Sequence, residues 1–136
     1  MTRAAEPSEH DSQAALITWW GWNCKRWKLP PFSLMAIPNG SLRHIAVAAK
    51  LKSEGVRAGV PDLFLAVPLK SDMFPGNPWE CPGLWIEMKR KPNKPSNEQM
   101  EVIDYLRGMG YEVVVAWNAD EAIRAIEGYL GGSLSL

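Results

Sequence analysis

Three short segments hold residue types that can do chemistry together: Gly59-Val60-Pro61-Asp62-Leu63, then Glu87-Met88-Lys89, then Gln99. Along an extended strand, Leu84, Ile86 and Met88 point to one face and Trp85, Glu87 and Lys89 to the other. A carboxylate and an ammonium therefore sit side by side on one face. Asp62 follows Pro61, which fixes the local backbone, and opens the apolar run Leu63-Phe64-Leu65-Ala66-Val67. An acid at the mouth of such a strand costs free energy unless it is paired or holds a metal. Glu87 lies inside an apolar strand, where glutamate is disfavoured. Two carboxylates brought together make a hard oxygen site suited to Mg²⁺ or Mn²⁺. The main-chain carbonyl of Met88 can add an oxygen, and Lys89 can orient a water or steady growing negative charge. These are the parts of metal-assisted phosphodiester hydrolysis.

Positioning these groups takes a particular order of elements. Ser8 is a good N-cap with Asp11 three residues on, and the pattern predicts a first helix to about Trp20. Its apolar stripe is expected to be Ala14, Leu16, Ile17 and Trp20, with Glu9 and Gln13 sharing another side. Phe32–Ile37 reads as a strand closed by Pro38-Asn39-Gly40. A helix from Leu42 to Glu54 follows, with Gly55 at its end. Strands are predicted over Asp62–Val67, Gly83–Lys89 and Tyr111–Trp117. Residues 68–83 hold four prolines and two glycines and read as a long irregular loop. Ser96 and Gln99 form a capping box for a helix to about Arg107, and Asn118 caps a last helix carrying Ile123, Ile126, Tyr129 and Leu130 on one side. This order predicts an α/β fold, a small mixed four-stranded sheet flanked by helices. The strands joined by residues 68–83 should be antiparallel neighbours, and Leu84 to Trp117 a parallel crossover. The expected organisation is one domain over residues 1–136, with residues 1–7 a loose arm and 131–136 a tail.

Bulk composition bounds the partners. At 46% hydrophobic residues the chain can build a core and is not a disordered segment. Formal net charge is zero, but it is unevenly placed. Residues 41–60 set Arg43, Lys50, Lys52 and Arg57 against Glu54, and residues 81–96 set Lys89, Arg90, Lys91 and Lys94 against Glu87. Residues 97–136 carry seven acids against Arg107 and Arg124. Basic charge thus gathers around the suspected site, which suits phosphate gripped at one place, although basic runs are also common as solvated loops. Two cysteines make neither a disulfide framework nor a zinc site. No apolar run suits a membrane span, the N-terminus is unlike a signal peptide, and the expected setting is cytoplasmic and reducing.

Each candidate also has a structural reading. Asp62 can be a turn cap, and Glu87 an ion-pair partner of Lys89. Gln99 can serve the helix N-terminus alone, or line the site, or both. Glu9 in a first turn favours the helix dipole whatever else it does. Asn39 and Arg43 can contact phosphate, or form a turn and a solvated helix face. His10 and His44 lack ligand spacing. Trp19, Trp20, Trp22 and Trp27 read chiefly as core or subunit-interface residues.

The ordered set resembles the virus-type replication-repair nuclease (VRR-NUC) domains of the PD-(D/E)XK superfamily, whose fold is restriction-endonuclease-like. The similarity runs from about Ser8 to Leu130. Its most specific stretch is Leu51-Lys52-Ser53-Glu54-Gly55-Val56-Arg57-Ala58-Gly59-Val60-Pro61-Asp62-Leu63, followed by Leu84-Trp85-Ile86-Glu87-Met88-Lys89 and Ser96 to Gln99. The resemblance implies catalytic roles at Asp62, Glu87 and Lys89, a place in the active site for Gln99, and an approach of Glu9 to the metal. It further implies DNA as substrate, Mg²⁺ or Mn²⁺ as cofactor, and a homodimer acting on branched DNA in the manner of Holliday-junction resolvases. The alternatives are a junction-binding scaffold that keeps the fold without cutting, and a hydrolase of another phosphate ester. The 68–83 segment looks longer than the family's usual connection and leaves the preferred DNA structure open.

Overall fold

The computed structural model describes residues 5–38, 45–70 and 79–131. Helix α1 spans Glu9–Asn23, β1 Leu34–Ala36, α2 Ile45–Ser53, β2 Leu63–Leu65, β3 Leu69–Lys70, β4 Trp79–Cys81, β5 Leu84–Met88, α3 Asn97–Gly108, β6 Glu112–Ala116 and α4 Ala119–Leu130. Short 3-10 turns at Cys24–Trp27 and Pro31–Ser33 lead from α1 into β1. The main sheet has four strands in the order β1-β2-β5-β6. β2 runs antiparallel to β5, and β5 and β6 are parallel across α3, both as the sequence predicted; β1 pairs antiparallel on the other side of β2.

One sheet face makes the core. Leu63, Leu65, Leu84, Ile86, Met88 and Ala116 meet Leu16, Trp20 and Trp27 from the first helical layer and Ala122, Ile126 and Leu130 from α4. Alternation along β5 explains this, because Leu84, Ile86 and Met88 are fully buried on that face. On the other face Phe64, Trp85 and Tyr111 cluster, with Phe64 and Trp85 ring centroids 4.4 Å apart. Gly83 admits the Phe64 ring: a Cβ there would lie 2.5 Å from Phe64 Cε2.

Several boundaries differ from expectation. α1 continues beyond Trp20 to Asn23. Its buried row is Ser12, Leu16 and Trp20 at four-residue spacing, whereas Ala14 is exposed and Ile17 is 39% exposed. The helix is positioned by α4 and the sheet beneath it, and that contact selects the row carrying the larger Trp20. The first strand begins only at Leu34, because Pro31–Ser33 close a 3-10 turn in which Ser33 Oγ donates to Pro30 O at 2.7 Å. The 68–83 segment is not wholly irregular, since β3 and β4 pair antiparallel. A ladder this short shows no periodicity, so prolines and glycines dominate its sequence signal. The predicted start of α2 at Leu42 lies outside the described residues.

Ile86 on the central strand β5 is fully buried. We expect Ile86→Ala to lower unfolding free energy by about 2–5 kcal/mol in urea titration. A loss below about 1 kcal/mol would mean this face is not the organising core.

Candidate active site

Strand register brings the acids together. β2 and β5 pair with Leu63 opposite Ile86, so the next position outward sets Asp62 opposite Glu87. Side chains directly across an antiparallel pair share a face. Asp62 Oδ2 accepts a hydrogen bond from the Met88 amide at 2.8 Å, locking that carboxylate to β5. Its own carbonyl accepts from the Ile37 amide at 2.8 Å, which fixes the backbone from the β1 side. Pro61, just before it, is fully buried.

Glu87 is the most constrained polar group. Only 2% of it is exposed. Gln99 Nε2 donates to Oε1 at 3.0 Å, and Lys89 Nζ lies 4.0 Å from the same oxygen. Oε2 is buried and receives no hydrogen bond from the described residues. Trp85 Nε1, two residues away on the same strand face, is likewise buried with no partner among the described residues. Burial in low dielectric, then the Asp62 charge, push the Glu87 carboxyl up to about 8, with Lys89 opposing. Asp62 is also raised, chiefly by burial, while the Met88 amide pulls it back. The hydrogen bond between the two side chains lowers Asp62 and raises Glu87. Burial of both acids side by side therefore favours one proton shared between them over two full charges.

Gln99 reaches Glu87 because α3 starts beside it. Ser96 caps the helix, its hydroxyl accepting from Gln99 N at 3.1 Å, and Gln99 Oε1 accepts from Ser96 N at 2.8 Å. The amide group of one side chain thus closes the capping box with its oxygen and holds Glu87 with its nitrogen. Gly59 lets the chain pass this helix start at φ 87°, where a Cβ would meet Glu98 O at 2.9 Å. The spacing of Gly59 from Asp62 was visible in sequence, but its close approach to α3 was not.

The remaining candidates lie around this pair. Glu9 is half-buried at the start of α1, and its charge raises both Asp62 and Glu87. Among the described residues no three His, Cys, Asp or Glu side chains form a metal-holding group, so Glu9 does not complete one here. Two carboxylates nonetheless suit Mg²⁺, which keeps several waters and needs only one or two protein carboxylates. The orphaned Oε2 fits such an ion, since a cation there would satisfy it and remove the need for a shared proton. Arg90, Lys91 and Lys94 are exposed in the turn after β5, a turn pinned where Trp117 Nε1 donates to Asn93 O at 2.8 Å. Lys52 and Arg57 are exposed on a groove beside Gln99. Asn39 and Arg43 lie outside the described residues. The apolar floor of that groove, Leu51, Val56 and Val60, had no chemical signal in sequence.

A carboxyl held above its ordinary value binds its proton more tightly folded than unfolded. Metal-free protein should therefore lose stability as pH rises from about 4.5 to about 8, and level off above. We expect Glu87→Gln to flatten that slope in thermal melts across this range. An unchanged slope would place the titration elsewhere.

No curated protein matches the chain. A solved structure titled "VRR_NUC domain protein" superposes with a TM-score of 0.71 at 24% identity, covering 94% of this chain and 92% of that chain. At that identity the likeness is one of fold, and it agrees with the restriction-endonuclease-like arrangement of a mixed four-stranded sheet between helices. The VRR-NUC domain profile matches residues 9–119, from the first residue of α1 to the first of α4, and includes Asp62, Glu87, Lys89 and Gln99. By that match the chain belongs to the VRR-NUC domain family, a nuclease family.

Proposed function

We propose that this chain is a divalent-metal-dependent deoxyribonuclease that cuts phosphodiesters in branched DNA and works as a homodimer. The observation that carries the reading is the pairing of half-buried Asp62 with buried Glu87, whose Oε2 has no donor among the described residues and whose flank holds Lys89. Mg²⁺ or Mn²⁺ would be held by Asp62, Glu87 and the Met88 main-chain carbonyl, with Glu9 at longer reach. When bound, such an ion supplies Lewis acidity at the phosphoryl oxygens and acidifies water.

The chain's own groups divide the remaining work. The Met88 amide fixes Asp62, and Gln99 fixes Glu87. Holding both carboxylates in one orientation removes reorganisation from the reaction. Lys89 is half-buried, so its ammonium is aimed along the carboxylates rather than into bulk water. From there it positions the attacking water or steadies negative charge on phosphorus. Lys52, Arg57, Arg90, Lys91 and Lys94, together with Asn39 and Arg43, grip backbone phosphates on either side of the site. Glu101, Asp104, Glu112, Asp120 and Glu127 repel DNA elsewhere and so orient it.

A symmetric junction needs two cuts, and one chain carries one such site. Trp22 at 75% and Phe32 at 77% exposure give apolar surface for a second copy. No helix among the described residues is long and apolar enough to cross a membrane.

Flap, four-way and linear duplex DNA incubated with Mg²⁺, Mn²⁺ or EDTA test the proposal. Branched substrates should be nicked with metal and spared in EDTA. Asp62→Ala and Lys89→Ala should each reduce cleavage by roughly 10²–10⁴-fold with unchanged circular dichroism. Persistent nicking by purified Asp62→Ala protein would reject this site. DNA affinity in EDTA should fall steeply between about 50 and 200 mM salt, and a flat response would reject the phosphate grip. Light scattering should give twice the chain mass.

A further inference from the structure

The groove beside the carboxylate pair has a shape and chemistry that phosphate contacts alone do not use. It encloses about 470 Å³ between α2, the Val56–Val60 turn and the first turn of α3. That volume falls within the ~300–1,000 Å³ of small-ligand sites. Leu51, Val56 and Val60 form an aliphatic floor, and Lys52 and Arg57 stand exposed at its edge. Gln99 closes the end nearest the site, where it bonds Glu87. A strand lying across the carboxylates therefore meets, within one side chain, an apolar recess with two cations beside it.

We propose that this groove receives one unpaired nucleotide of the strand being cut, its base on the aliphatic floor and its flanking phosphates on Lys52 and Arg57. The inference rests on the nuclease reading and gives it a physical source of branch selectivity. In continuous duplex a base is stacked and paired, and placing it in a recess costs both interactions. At a branch or flap that cost is already met by the DNA structure. The same enzyme site is then reached more readily by branched than by linear substrate, with no sequence read. Charge agrees with this occupant: two of the groove's three charged side chains are cations, and the third, Glu98, can accept from an exocyclic amine.

The probe is flap DNA with 2-aminopurine at the unpaired position next to the branch, bound in EDTA so that no cutting intervenes. Its fluorescence should change on binding the native chain. Ala48→Trp, which fills the groove from α2, should remove that change and weaken flap binding by about tenfold. Lys52→Glu combined with Arg57→Glu, both at exposed positions, should weaken binding of flap DNA more than of linear duplex; an equal loss on both overturns the proposal if Ala48→Trp disturbs α2 by circular dichroism. A fluorescence change that survives the variants in folded protein overturns the proposal, even if the native chain cuts branched DNA. A groove-dependent change in a chain that cuts no DNA overturns the nuclease reading alone.

Discussion

A buried and a half-buried carboxylate side by side at the end of an apolar sheet are the constraint around which this structure is arranged. Removing one carboxylate from water is expensive, and placing a second beside it adds repulsion. Each acid is met by a different device. Asp62 is held by a main-chain amide, which cannot rotate away while β5 stays in the sheet. Glu87 is held by a side-chain amide that is itself immobilised by a helix cap. Among the described residues no donor reaches Glu87 Oε2.

This explains why the core lies where it does. Asp62 and Glu87 face each other only while β2 and β5 keep their register. A slip by one residue would turn one of the acids to the opposite face. Leu63, Leu65, Leu84, Ile86 and Met88, fully buried on one face, set that register, because any shift would expose them. The Phe64, Trp85 and Tyr111 rings pack the other face and oppose the same slip. The hydrophobic effect thereby supplies the precision that the carboxylates need and cannot provide for themselves, since they repel.

The parts legible in sequence were those where a residue broke its local pattern. Glu87 inside Leu84-Trp85-Ile86 and Asp62 before Leu63-Phe64-Leu65 both conflict with strand propensity, and the structure places them together. Gln99 was legible only as a choice between helix cap and site residue, because sequence spacing carries no information about the two ends of an amide. The structure shows both ends engaged at once. Tertiary packing decided the rest. Ile17 and Leu16 are equally apolar neighbours, yet only Leu16 faces α4 and the sheet. The β3–β4 pair is too short to leave a period among the prolines around it. The groove floor is made of ordinary aliphatic residues whose convergence depends on α2 and α3 lying on the same side of the Val56–Val60 turn.

Gly59 joins these levels. Its positive φ carries the Val56–Val60 turn so close to the start of α3 that an added Cβ would lie 2.9 Å from the Glu98 carbonyl oxygen. That contact sits between the groove and the acids: on one side it shapes the recess lined by Val56 and Val60, and on the other it leads through Pro61 to Asp62. The helix start it touches is the one that aims Gln99 at Glu87. A side chain at residue 59 would press the Val56–Val60 turn away from the helix start that holds Gln99 against Glu87. Backbone geometry at a position carrying no chemistry therefore bears on how Gln99 meets Glu87, while the β2–β5 register sets the two acids opposite each other.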